Sequence, residues 1–80
     1  MLIAFDSTQQ ALRAEMLLEY ADIEIDIRPT PKEITAGCSI SIEFDDKDLS
    51  IVRDIFRQER VDIRGLFRQE AGEYIPLDED

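Results

Sequence analysis

The sequence predicts an α+β domain in which one antiparallel sheet carries two helices on a single face. Three observations predict it. Three runs alternate apolar and polar residues with period two, two other stretches space their apolar residues for helices, and these elements follow the order strand, helix, strand, strand, helix, strand. Eighty residues make one domain with a thin core.

The first strand is Leu2-Ile3-Ala4-Phe5, a continuous apolar run of the kind a strand shows when both its faces are covered. Ser7 followed three residues on by Gln10 fits a capping box, in which hydroxyl and amide satisfy orphan N–H groups. It predicts a helix over 7–21, with Ala11, Ala14, Leu18 and Ala21 on one stripe and Leu12, Met16 and Leu17 widening it. Ile23, Ile25 and Ile27 alternate with Glu24, Asp26 and Arg28, giving a half-buried strand that Pro29 and Pro31 end because neither can donate to a ladder. Cys38, Ile40, Ile42 and Phe44 alternate with Ser39, Ser41 and Glu43 as a third strand. Asp45, Asp46 or Asp48 caps a second helix, whose face is Leu49, Val52, Ile55 and Phe56 with Ile51 beside them, ending near Glu59. Val61, Ile63, Gly65 and Phe67 alternate as a fourth strand. Residues 1–70 form the domain, and 71–80 are expected to be a flexible acidic tail ending in Asp78-Glu79-Asp80.

This order matches the ferredoxin-like βαββαβ sandwich: a four-stranded antiparallel sheet in the order 4-1-3-2, its most apolar strand inside. The polar parity of Arg28, Ser39, Ser41 and Glu43 predicts a wet second face, and the fourth strand is expected to be an open edge guarded by Arg64 and Arg68. That edge or that face offers a route to a homodimer.

Charge narrows the functions. Nineteen acids against nine bases give a formal net charge of −10, a field that repels phosphate backbones and anionic membrane surfaces. Nucleic acid and membrane are therefore not expected as partners. No stretch reaches the ~18 apolar residues of a membrane span, and the start MLIAFDS shows neither a basic leader nor a signal-type core. These features point to the cytoplasm. Asp45, Asp46 and Asp48 lack the glycine and terminal glutamate of a calcium loop, so they read as helix caps, and no metal or cofactor is expected.

Cys38 is the single cysteine, and the chain has no histidine and no asparagine. That leaves no internal disulfide, no paired zinc or redox spacing and no Cys/His catalytic pair. The lack of asparagine also sets aside an acylphosphatase-like hydrolase, which needs an arginine-bearing anion loop and an asparagine carboxamide. From parity alone Cys38 reads as a small core filler, because free cysteine is among the most buried residue types.

Several stretches carry a resemblance that changes this weighting. Phe5-Asp6-Ser7-Thr8 with Ala11-Leu12 and Ala14-Glu15, then Pro29-Thr30-Pro31-Lys32-Glu33-Ile34 with Gly37-Cys38, then Ile40 to Phe44 and Asp45 onward, resemble the selenium/sulfur carrier protein-like family over residues 1–68. The resemblance implies that Cys38 carries sulfur or selenium and that Pro31 and Lys32 are the loop proline and base. Pro31, Gly37 and Ser39 would then present the thiol. Ser39 departs from the glycine that members commonly place after the cysteine. The implied partners are proteins that donate or accept the chalcogen, and a non-enzymatic carrier is expected rather than a stand-alone catalyst.

Topology supplies a physical reason. If strand three runs antiparallel to strand one, its start lies beside the end of strand one, where the first helix begins at Ser7 or Thr8. A helix N-terminus offers free N–H groups and partial positive charge, which favour a thiolate. Arg28 and Lys32 are expected to add positive charge nearby. A group in contact outweighs the distant acids, which are screened over a Debye length of ~8 Å. The rival readings are a non-catalytic interaction or regulatory domain in which Cys38 is packing, and a small-molecule sensor binding at a dimer's sheet face.

Overall fold

The computed structural model describes residues 1–77. Along the chain run β1 (Leu2–Ala4), α1 (Thr8–Tyr20), β2 (Ile25–Pro29), β3 (Ile40–Phe44), a 3-10 turn at Asp46–Asp48, α2 (Leu49–Glu59), β4 (Gly65–Glu70) and β5 (Glu73–Pro76). Every strand pairing is antiparallel, and the sheet order is β2-β3-β1-β4-β5. The domain is thus α+β with two helices, but the sheet has five strands rather than the four expected in the order 4-1-3-2. The fifth is added beside β4, so the ferredoxin-like description holds only loosely, and β4 is an interior strand rather than an open edge.

The extra strand comes from a stretch expected to be a flexible tail. Glu70-Ala71-Gly72-Glu73 closes a hairpin, with Ala71 at φ 50 and Gly72 at φ 79. A two-residue turn with both central residues in the left-handed region matches the twist of the strands it joins. Alanine fits the first of these positions poorly. Ala71→Asn is expected to raise stability by about 1 kcal/mol, because asparagine's short polar side chain bonds the local backbone and offsets part of the ~1–2 kcal/mol a β-carbon costs in that conformation. An upward shift in the denaturant midpoint at unchanged slope checks it. The acidic end, Asp78-Glu79-Asp80, lies outside the described residues.

Element ends have local causes. α1 stops where Asp22 turns left-handed at φ 61, with Asp22 N–H donating to Glu19 O at 3.0 Å and Ile23 N–H to Leu18 O at 3.0 Å. These two hydrogen bonds satisfy two of the helix's last carbonyls and spend Ile23 on the closure, so β2 starts two residues later than its alternation suggests. Arg60, at φ 55, does the same for α2, and Val61 N–H donates to Phe56 O at 3.0 Å. Val61 and Ile63 therefore lie before β4. A bend at Arg64 then shifts the parity, so Leu66 rather than Phe67 meets the helices.

The main core lies between the helices and the sheet. Ala11, Ala14 and Leu18 of α1 and Val52 and Phe56 of α2 pack on Ile3, Ile42, Phe44 and Leu66. The second face is only partly wet. Pairing puts Leu2, Ala4, Ser41, Glu43 and Phe67 on it, and the loop after β2 folds back so that Ile34 and Ala36 cover Leu2 and Ala4 together with Phe67 and Tyr74. Ser41, expected to be wet, is 0 % exposed; its hydroxyl meets the Thr30 hydroxyl at 2.8 Å. A buried hydroxyl with a partner loses little by leaving water, and the loop can close over it.

Candidate functional site

The chain between β2 and β3 returns to the end of β1, and this return fixes Cys38. Cys38 N–H donates to Phe5 O at 3.0 Å, and Gly37 N–H to the Asp6 carboxylate at 2.9 Å. From the other side the Thr30 hydroxyl donates to Cys38 O at 3.0 Å, and Thr30 N–H to Ser39 O at 2.8 Å. Four hydrogen bonds thus hold residues 37–39 between the end of β1 and Thr30. A β-carbon on Gly37 would lie 2.6 Å from Asp6 O, so only glycine allows this approach.

The bonds set Cys38 against the start of α1. Its Sγ lies 3.6 Å from Thr8 Oγ1 and accepts from Ile40 N–H at 3.4 Å. Ser7 is the N-cap; its hydroxyl accepts from Gln10 N–H at 3.5 Å. The capping box is half made, because Gln10 Oε1 turns outward and accepts from Asp62 N–H at 3.2 Å, tying α1 to the approach to β4. The helix geometry leaves the Thr8 and Gln9 N–H groups without helical acceptors, so the end beside the sulfur carries partial positive charge. Cys38 is nevertheless 3 % exposed and belongs to the main core. Thr8, the residue in contact with the sulfur, is itself exposed.

The other residues picked from the sequence lie in different places. Arg28 sits on the sheet face away from the helices, its guanidinium 3.1 Å from Glu43 and 4.0 Å from Asp26. Lys32 is exposed in a turn closed by Ile34 N–H donating to Pro31 O at 3.1 Å. Among the described residues the polar contacts of the sulfur are Thr8 and Ile40, not these two cations. Ser39 is exposed, and among the described residues those other than glycine with positive φ are Asp22, Arg60 and Ala71, so serine after the cysteine brings no backbone strain. Asp45 accepts from Lys47 N–H at 3.3 Å, and Asp46 lies 2.9 Å from the Met1 amino nitrogen, so both carboxylates have local partners. Among the described residues no group of three or more cysteine or carboxylate side chains gathers as a metal site, and no helix is long and apolar enough to cross a membrane.

Thr30, Asp6 and Arg64, which hold the site, were not picked out for that role from the sequence. Asp6 anchors Gly37, and Arg64, expected to guard an edge, donates from Nε to Thr35 O at 3.2 Å and lies 3.8 Å from Asp6. Together they pin the loop beside Cys38.

The model of the family described as "Putative Se/S carrier protein-like" matches residues 1–68. The chain belongs to this family. The match to the Se/S carrier-like family takes in β1, both helices, β2, β3 and the first part of β4, with Thr8 and Cys38 inside it, and stops before β5. Neither a curated protein nor a solved structure matches the chain.

Proposed function

We propose that the protein carries sulfur or selenium as a persulfide-type adduct on Cys38 and hands it to a partner protein. The Cys38 thiolate attacks the outer sulfur or selenium of a donor's persulfide or perselenide. A new bond forms to Cys38 Sγ, the donor's bond to that atom breaks, and the donor leaves as a thiolate with the electron pair. An acceptor nucleophile then attacks the outer atom and releases the Cys38 thiolate. Neither step needs an external oxidant or reductant, and the partners supply any proton transfer, so the chain itself needs no base.

The single observation that carries this reading is the placement of Sγ at the N-terminus of α1, within reach of the Thr8 hydroxyl and the Ile40 N–H. Both can donate to an anionic sulfur, and the helix end favours the charge. Transfer proceeds from an opened state, in which Thr8 moves off the sulfur. A free thiol of this use belongs in a reducing compartment, and the cytoplasm is its place.

A second reading has its own observation. At 3 % exposure, Cys38 fits a packing role in a non-catalytic interaction domain. Loading separates the two. Incubation with a low-molecular-weight persulfide should add the mass of one sulfur atom at Cys38 if the protein is a carrier; a folded protein that gains nothing leaves the packing reading.

Thr8 gives a finer test. Thr8→Val keeps the bulk over the sulfur and removes the hydroxyl. A hydrogen bond to a charged group contributes about 1.5–3 kcal/mol, and the 3.6 Å separation places this one at the low end. Alkylation of Cys38 near neutral pH is therefore expected to slow about tenfold in Thr8→Val and to recover in Thr8→Ser. Equal rates in all three proteins would show that the hydroxyl does nothing for the thiolate.

A further inference from the structure

Leu12 and Met16 were expected to widen the buried stripe of α1, and the structure turns both outward. Leu12 is 52 % exposed, Met16 67 % and Tyr20 92 %. They recur every four residues, so they form one line along the side of α1 opposite Ala11, Ala14 and Leu18. The helix is thus apolar on both sides, and only one side has a partner within the domain. Extended one step toward the N-terminus, the same line reaches Thr8, which touches the Cys38 sulfur. From Thr8 to Tyr20 the line runs roughly 18 Å at the helical rise per residue.

We infer that this line is the docking surface for the protein that exchanges sulfur or selenium with Cys38. The inference rests on the carrier reading and names the surface its partner uses. A protein seated on Leu12, Met16 and Tyr20 would extend over Thr8, the residue that must move to expose the thiol, so docking and opening are one event.

Charge identifies the occupant. Glu15 and Glu19 lie along one side of the apolar line, and Arg13, paired with Glu59 at 3.6 Å, along the other, on a chain of net charge −10. Two such chains repel each other, which weighs against a second copy as the occupant. The surface fits a different protein, one with an apolar groove rimmed by lysine or arginine. Exposed apolar residues on one helix face, read at a spacing of four, are what such a groove recognises.

The test uses the intact chain with Cys38 converted to its mixed disulfide with thionitrobenzoate. In extract of the native cell, a partner thiolate attacks Cys38 Sγ, displaces thionitrobenzoate as a thiolate and leaves a disulfide-linked pair. The wild-type chain is expected to trap a defined protein, and Leu12→Gln/Met16→Gln/Tyr20→Gln at least tenfold less of it. Loading from a low-molecular-weight persulfide should be the same in both. Met16→Gln alone, expected to lower trapping several-fold, serves if the triple variant melts early. Raising the salt concentration should also lower wild-type trapping, because screening weakens the acidic flank's attraction for a basic rim.

Equal trapping by the triple variant, trapping of a second copy, or no trapping overturns the docking surface. Trapping that does not fall with salt overturns the basic-rimmed partner. Small-molecule loading stands apart from all of these: without it the carrier reading fails, and with it but without stripe-dependent trapping the docking surface alone fails.

Discussion

Cys38→Ser is expected to abolish uptake of sulfur or selenium completely while leaving a folded domain. No other cysteine can take over, because the chain has one. Serine's hydroxyl is a far weaker nucleophile than a thiolate and forms no persulfide. Stability should fall a little whichever role the sulfur plays. The site is in the core, and burying a polar hydroxyl without a partner costs about 1–3 kcal/mol in proteins. Here the Thr8 hydroxyl and the Ile40 N–H are already aimed at the position. They can bond the new oxygen and hold the loss to about 1 kcal/mol, a tolerable fraction of a typical ~5–15 kcal/mol. A small loss of melting temperature therefore does not separate carriage from packing. Intact mass after incubation with a persulfide donor does: wild-type chain gains the atom and Cys38→Ser does not. Gain of the same mass by Cys38→Ser would place the adduct elsewhere and end the assignment to this thiol.

Much of the fold was legible because periodicity records which side of an element meets the core. Ile42 and Phe44 lie where alternation puts them, and Ala11, Ala14 and Leu18 form the buried side of α1. The misses share a physical origin. Periodicity shows that a helix has apolar stripes, not which has a partner, and so Leu12 and Met16 were assigned inward. β5 was hidden by its turn: Ala71 occupies a left-handed position without the asparagine or aspartate that would advertise it. Ser41 reads as a wet residue until a threonine eleven positions away closes over it. At the site, the meeting of strand end and helix start follows from topology and brought Thr8 to Cys38. The loop's anchors did not follow, because Asp6 and Arg64 meet across 58 positions and the pairing of two exposed charges has no local signature.

Gly37→Ala tests the close approach on which the site's geometry depends. The added β-carbon would lie 2.6 Å from Asp6 O, 3.2 Å from Asp6 Cα and 3.3 Å from Asp6 C. All three are backbone atoms, so no flexible side chain can swing away. Asp6 has little room to retreat, since it joins β1 to the cap of α1, while Phe5 O and the Asp6 carboxylate hold residues 37 and 38 from above. The clash has to be relieved by lifting the 37–39 segment. That forfeits the Cys38-to-Phe5 bond and draws Sγ away from Thr8. A loss of about 2–3 kcal/mol is expected, in the range of overpacked sites that cannot relax. The thiol, no longer sealed, should alkylate at least tenfold faster under native conditions at a pH where it is fully ionised. Gly72→Ala is the control for conformation without contact. Its φ of 79 disfavours a β-carbon, but nothing lies within 4 Å of the added atom, so it should cost only about 1 kcal/mol and leave Cys38 as slow as in wild type. If Gly37→Ala melts and alkylates as wild type does, residue 37 does not crowd Asp6. The bonds that set Cys38 at the start of α1 would then lose their basis, and the carrier assignment would lose the geometry on which it stands.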